Sequence, residues 1–499
     1  MHAAHHRQTS RHREGRFTLD WILSNIHTLV TLATGVLAIR LLTQHVSQAE
    51  YGFWVMAGSI GGYLLIVQRG TAAALMRASA KAWSRQDREA AERSFHLLLS
   101  LLGIYLALGF PVSAAVAWAM GLAYGSTVVA LSFWTFFSVC GSMMLGALNA
   151  YLGGLGWFAP GRVFLMASAA VNLALTFLCV KLEVALWILA AAQGGATFAM
   201  AFAAYVAARW RLRGLFRPTL RVAGVRDTLQ LLATGGGFLL ADLGFMIAYQ
   251  SDNILVGAML GPAQVVPLSL LQRIAGTLQT LLGAQNAPLL PRLMRLHAAS
   301  ELAGIKAIYL TQMRRFAGVA VIFAWGLCCC GRDVVAVWVG PELYAGTMVN
   351  LCVAAAFLTV AVYRTAGLVL CAMGEERRCG LHAIAEAVVN VVLSIFLISC
   401  MGVAGTVLAT TVSQVFVTHL PLAVRLHRNL GLTRREYFAS VVQAWLGSFA
   451  ILAAATPLIL LGPPVLVWRV GLAMLAAGMA LALGWRIGWR VVPPSTEVS

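Results

Sequence analysis

Charge is scarce in this sequence. Only 11% of its 499 residues are Asp, Glu, Lys or Arg, where a soluble domain carries roughly 25%. Acid is scarcer still, with 18 Asp and Glu against 36 Lys and Arg. A water-soluble globule is therefore excluded, and no stretch is polar enough or long enough for a soluble domain of ordinary size. Catalytic signatures are also missing. No Walker lysine follows a glycine-rich loop, which excludes ATP hydrolysis by a P-loop, and there is no HExxH and no GxSxG. The nine cysteines form no paired CxxC pattern and lie mostly in apolar runs, so they read as small buried hydrophobes and not as metal or redox ligands. No cofactor is expected. The triplet Cys328–Cys330 has no account at this level.

What is abundant is apolar length: 60% of the residues are hydrophobic. A membrane helix needs about 20 apolar residues, and about fourteen such segments fit the sequence. They are expected at 17–43, 51–75, 95–120, 126–151, 161–180, 184–208, 228–259, 264–290, 307–330, 346–373, 381–400, 403–424, 438–462 and 465–486. The fold class is all-α, polytopic and membrane-embedded. The first segment is too long for a signal-peptide core and has no clear small-residue cleavage site after it, so it reads as an uncleaved helix.

The basic residues fall into alternate gaps. One set of gaps holds Arg7, Arg11, Arg13 and Arg16; Arg77, Lys81, Arg85, Arg88 and Arg93; the turn leading into Arg162; Arg209–Arg226; Arg292, Arg295 and Lys306; Arg377 and Arg378; Arg425, Arg428, Arg434 and Arg435; and Arg486 and Arg490. The other set is nearly bare, with Lys181, Arg332 and Arg469 as exceptions. By the positive-inside rule both termini are expected in the cytoplasm of an inner (plasma) membrane. The net charge of +18 is spread over many short loops. That reads as orientation and contact with anionic membrane lipids, and no nucleic-acid partner is expected.

The Arg-rich stretch 209–227 contains Gly214, Pro218 and Gly224 and reads as a linker. The expected organisation is a basic tail (1–16), an N-terminal bundle of six helices (17–208), the linker, a C-terminal bundle of six (228–424), and two further helices with a tail (425–499). Aligning Ala49 with Ala263 gives a weak echo between LLTQHVSQAEYGFW and LVGAMLGPAQVVPL. Repeated halves are a common plan of secondary transporters.

Four stretches carry a family resemblance: AIRLLTQHVSQAEYGFW (Ala38–Trp54); QRGTAAALMRASAK (Gln68–Lys81); SDNILVGAMLGP (Ser251–Pro262) with LLPRL (Leu289–Leu293); and VGPELY (Val339–Tyr344) followed by CAMGEERR, AVVNVVLS and MGVAGTVLATTVS (Met401–Ser413). In this order they resemble the polysaccharide biosynthesis, or oligosaccharide flippase, family. That family belongs to the superfamily that also holds multidrug-and-toxin exporters and lipid II flippases. The resemblance implies a V-shaped pair of six-helix bundles plus two helices. It also implies movement of an undecaprenyl-diphosphate-linked oligosaccharide to the outer leaflet, alongside a polysaccharide polymerase and chain-length machinery. A cation-coupled multidrug antiporter on the same scaffold is the alternative. A membrane glycosyltransferase fits poorly, because the outward gaps are short.

A charge at the bilayer centre costs at least about 2.5 kcal/mol, so intramembrane charges mark candidate sites. Arg69, Arg273, Arg40 and Arg364 are the candidate substrate-binding residues, because a guanidinium fork donates paired hydrogen bonds to a diphosphate. The resemblance implies cavity arginines on segments 1, 2 and 8, where this chain has Arg40, Arg69 and Arg273. Arg40, near an outer end, also fits an interfacial anchor, and Arg69 also fits a side chain reaching the inner headgroups. Arg364 is expected to have a partner, with Glu386 as the candidate. Asp252 and Asp242 are expected either to balance an arginine, Arg273 for Asp252, or to bind a coupling cation. Asn25, His27, Asn149, Asn172, Asn253, Asn390 and Gln279 can bind sugar hydroxyls or bond neighbouring helices.

Overall fold

A computed structural model describes residues 2–213, 223–224, 226, 236–284, 289–438, 446–461 and 466–490. Among the described residues the chain is helical and has no strand. It divides into two compact units, residues 1–239 and 240–499. Among the described residues, each of the expected apolar segments overlaps at least one helix. Nine described helices are long and apolar enough to cross a membrane, and three shorter apolar helices accompany them.

The first unit holds α1 (His2–His45), α2 (Gln48–Arg85), α3 (Arg88–Tyr124), α4 (Val129–Gly154), α5 (Phe158–Lys181) and α6 (Leu186–Leu212). α1 runs unbroken through the basic stretch expected as a tail, since that stretch holds no proline and its only glycine is Gly15. α2 has 38 residues, about 57 Å at 1.5 Å per residue, against a hydrocarbon core of about 30 Å. Its polar end and the start of α3 therefore stand clear of the lipid as a hairpin. Gln86 turns the corner at φ 54°, and the Asp87 carboxylate accepts the Ala90 amide at 3.0 Å to start α3. The core lies where α2, α3, α4 and α6 meet, with Leu75, Phe95, Leu98, Leu148, Tyr151 and Ala204 fully buried. Gly154 lets α4 press onto α2, where a Cβ would strike Ser79 and the Met76 backbone. At the end of α6, Arg211 lies between two indoles, its Cζ 4.4 Å from the Trp83 ring and 4.9 Å from the Trp157 ring. That cation–π sandwich ties three elements together.

The second unit holds α7 (Gly236–Leu260), α8 (Pro262–Ala284), α9 (Leu289–Ala298), α10 (Leu302–Trp338), α11 (Thr347–Ala372), α12 (Glu376–Met401), α13 (Val403–Ser413), a π-helical turn (Gln414–His419), α14 (Leu420–Asn429), α15 (Arg434–Tyr437), α16 (Leu446–Leu461) and α17 (Leu466–Arg490). Three of these were not expected: α9, whose leucines pack into the core formed by Ile305, Tyr309, Leu370, Leu422 and Leu426, the π-helical turn, and the single turn α15. α12 and α13 form a tight hairpin through Gly402 at φ 59°. Gly244 of α7 meets the Ala383 backbone of α12 so closely that a Cβ there would overlap it.

The last two helices pack on α10, and this accounts for two of the three cysteines in the triplet. Cys330 is buried among Ala455, Ile459 and Ala476, with Cys329 alongside, while Cys328 is exposed. Small, polarisable thiols allow the close approach. Two polar contacts fix the register: Trp325 Nε1 donates to Thr456 Oγ1 at 2.9 Å, and Arg469 Nη1 donates to Asp333 Oδ2 at 3.4 Å. The second contact gives one exception to the basic-gap pattern, Arg469, a carboxylate partner.

Candidate functional site

The side chains of Arg69 in α2, Arg364 in α11 and Asp242 in α7 lie outside the described residues, as does the side chain of Asp20. The other candidates are described. Arg40 is exposed on α1 and shares its face with Leu29, Val36 and Leu37, which are exposed too. This apolar setting fits the anchoring alternative for Arg40.

Arg273 has a different setting. α8 buries Val265, Val266, Leu268, Leu270 and Leu271, and its opposite side carries Arg273 and Thr280, both exposed, with Ser269 and Thr277 half-buried between them at helical spacing. Among the described residues α8 exposes no large hydrophobic side chain, whereas α12 exposes Leu381, Val388, Val392 and Phe396. A helix facing lipid has the α12 pattern. The α8 pattern is reversed, polar outward and apolar inward, and that suits contact with water. Arg273 lies within electrostatic reach of Tyr249, whose hydroxyl donates to the Gln272 carbonyl at 2.9 Å. Among the described residues no carboxylate pairs with Arg273.

The acidic candidates are buried instead. Asp252 on α7 is 2% exposed. Thr410 of α13 reaches it at 3.1 Å (Oδ2) and 3.3 Å (Oδ1). Asn390 of α12 donates to Thr410 Oγ1 at 2.7 Å, which leaves the one hydroxyl proton for Asp252 or for the Thr406 carbonyl at 3.0 Å. Ser251 completes the cluster at 3.5 Å from Asn390 Oδ1. The expected partner of Asp252, Arg273, is not part of this cluster. The donor that reaches Asp252 is one neutral hydroxyl, so a charge on Asp252 would be poorly compensated. Such a carboxyl can take up a proton or a small cation.

Glu386 sits four residues before Asn390 on α12 and is 5% exposed. Its carboxylate accepts from Thr418 Oγ1 and from the Gln414 side chain. Both come from the π-helical turn, where one extra residue rotates Gln414 and Thr418 toward α12. His382 Nδ1 lies 2.7 Å from the Val417 carbonyl and fastens the same turn. The proposed Arg364 pairing concerns a side chain outside the described residues; the bonds described for Glu386 are to Thr418 and Gln414. These partners carried no sequence signal, because Thr and Gln recur in membrane helices without fixed spacing and the pairs are up to 158 residues apart.

The comparisons with known proteins agree with the fold. The family described as "Polysaccharide biosynthesis protein" matches residues 20–297. Among solved structures, the chain is similar to the lipid II flippase MurJ in an inward closed conformation, with a TM-score of 0.71 at 11% identity over 95% of this chain and 99% of that one. It is also similar to an inward-facing multidrug resistance MATE family transporter of the MOP superfamily, with a TM-score of 0.63 at 16% identity over 82% and 96%. A Vibrio cholerae MATE transporter, VcmN, in the bent form gives a TM-score of 0.52 at 13% identity over 87% and 99%. No curated protein matches the sequence. At these identities the likeness is one of fold. The family match covers more than half of the sequence, and the chain belongs to the polysaccharide biosynthesis protein family, as a polytopic helical membrane protein.

Proposed function

We propose that the protein is a flippase that moves an undecaprenyl-diphosphate-linked oligosaccharide across the inner membrane by alternating access. The observation that carries this reading is the reversed face of α8, where Arg273 stands exposed among hydroxyl side chains and without a carboxylate partner among the described residues. A guanidinium held there can meet a diphosphate with paired hydrogen bonds, and the polyprenyl tail can stay in the bilayer. Family membership and the MurJ-like fold support the same substrate class. In this reading Asp252, with Thr410 and Asn390, is the coupling group that takes up a cation or proton. The protein forms no new covalent bond, so purified protein incubated with labelled lipid-linked sugars should return them unchanged.

The test is export of surface polymer in a strain lacking the chromosomal copy. Arg273→Ala should reduce export by roughly tenfold to a hundredfold, the worth of a charge-assisted bond pair, while the protein still inserts. Arg273→Lys should recover only part, because the fork is lost. Full export by Arg273→Ala rejects the site. The buried carboxyls of Asp252 and Glu386 also suit a cation-coupled multidrug antiporter. A deletion strain that became sensitive to cationic dyes while exporting normal polymer would favour that reading.

A further inference from the structure

At the arginine-rich end of the second unit, the turn from α11 to α12 and the middle of α14 line an open surface cavity of about 370 Å³. It is lined by Gly374, Glu375, Arg377, Arg378, Leu381 and Arg425. Three arginines thus line the pocket with one carboxylate, and two of them bond it. Glu375 Oε2 accepts from Arg425 Nε at 2.8 Å and from Arg378 Nη1 at 3.0 Å, and its Oε1 accepts from Asn429 Nδ2 at 2.8 Å. Among the described residues, Arg425 engages Glu375 through Nε alone, so its two terminal nitrogens remain available. Arg377 is exposed and makes no ion pair there. The carboxylate thus orients two of the arginines without neutralising all three.

The surroundings narrow the ligand. Leu381, itself on the cavity wall, begins a line of exposed apolar side chains along α12 that continues with Val388, Val392 and Phe396. A second line, Phe416, Leu420 and Val424, descends the adjacent π-helical turn and α14 at four-residue steps and ends beside Arg425. His382 bonded to the Val417 carbonyl holds the two elements together. Two apolar tracks therefore lead from the membrane-spanning surface to a cluster of cations. A soluble phosphate would use the cations only. A lipid with a phosphate headgroup would use both.

We propose that this cavity binds the headgroup of an anionic membrane lipid, with Arg377, Arg378 and Arg425 on the phosphate and the acyl chains along the α12 and α14 tracks. Basic pockets between membrane helices recognise such headgroups by charge, and guanidinium groups match phosphate oxygens in geometry. The site lies apart from Arg273 and Asp252 and does not depend on what the protein transports.

Native mass spectrometry of the full-length protein, titrated with phosphatidylglycerol or with phosphatidylcholine of the same chains, tests this. The first lipid bound should be phosphatidylglycerol, with a preference of about fivefold for each arginine engaged. Arg377→Gln should lower that preference about fivefold and leave thermal unfolding unchanged, since Arg377 bonds no described protein group. Changing Arg377, Arg378 and Arg425 together to Gln should abolish it, and changing Arg434 and Arg435 to Gln should not. Leu381→Asn should weaken phosphatidylglycerol and not phosphatidylcholine at the other sites. Equal binding of the two lipids by the wild type would overturn the proposal. So would an unchanged preference in Arg377→Gln, an equal loss in the Arg434 and Arg435 control, or displacement of the lipid by millimolar inorganic phosphate.

Discussion

At the scale of single residues, the described site candidates of the second unit fall into two kinds. Arg273 is exposed on a polar face, while Asp252 and Glu386 are sealed among neutral hydrogen-bond donors. The difference matters because a buried carboxyl depends wholly on the few groups around it. Thr410 is the pivotal one for Asp252, since it takes a bond from Asn390 and passes one on. Thr410→Val keeps the shape and removes the hydroxyl, leaving both the Asp252 carboxyl and the Asn390 amide short of a partner. The expected loss is about 1–3 kcal/mol of stability, read by thermal or denaturant unfolding in detergent, with Thr410→Ser close to wild type. A Val variant as stable as wild type would mean the Asp252 cluster holds a different arrangement. Asp252 and Glu386 were identifiable from sequence because an acid within an apolar segment is conspicuous. Thr410, Thr418 and Gln414 were not, because nothing distinguishes a hydroxyl that bonds across helices from one that bonds its own preceding turn.

At the scale of elements, small residues and caps decide which helices can touch. Gly244 marks the crossing of α7 and α12, the two helices that carry Asp252, Glu386 and Asn390. Gly244→Val would push them apart, with an expected loss of about 1–3 kcal/mol or more, seen as a lower unfolding temperature. It should also reduce polymer export, because the Asp252–Thr410–Asn390 chain spans α7, α12 and α13. Outside the apolar segments, α15 is tied to pH through its cap. In α15 the Glu436 carboxylate accepts from the Thr433 amide, from Lys306 at 2.9 Å and from the Thr433 hydroxyl, which together hold it at about 2 against an ordinary 4.5. The depressed value means that the capping box and ion pair contribute fully above about 4.5 and lose that contribution as pH falls toward about 2. Amide exchange across Thr433–Tyr437, corrected for the intrinsic pH dependence, should be constant from neutral pH down to about 5 and should accelerate below it. In Glu436→Gln it should be fast throughout. Element positions were legible because each apolar run is long enough to cross the hydrocarbon core as a helix. Element ends were not, since α2, α3 and α10 continue as helices well past the lipid, and hydropathy has no term for a helix in water. The π-helical turn and α9 were missed for a related reason: one is an irregularity inside an apolar run, and the other is a short amphipathic helix whose leucines pack on the core.

At the scale of the whole molecule, the sequence supplied two independent regularities, apolar length and the alternation of basic gaps. The structure adds a physical reading of some exceptions. Arg469, in a nearly bare gap, is answered by Asp333, so it adds little net positive charge to that side. Among the basic gaps, by contrast, Lys306 and Glu436 pair at 2.9 Å, and Glu375 gathers Arg378 and Arg425, yet many more arginines than acids stand there. The net asymmetry therefore survives pairing, and it is the asymmetry that sets orientation during insertion. The exposed turns give it a direct test. With all nine native cysteines replaced by Ala, single cysteines can be placed at Ser84, Ser300 and Arg434, which are exposed in the arginine-rich gaps, and at Ser126, Glu183 and Glu342, which are exposed in the bare ones. A membrane-impermeant maleimide applied to intact spheroplasts should label the second group and spare the first. Permeabilised membranes should label all six. The reverse pattern would place both termini outside. The flippase proposal would then have its charged helix ends and the Arg377–Arg378–Arg425 cavity facing the leaflet from which the substrate leaves.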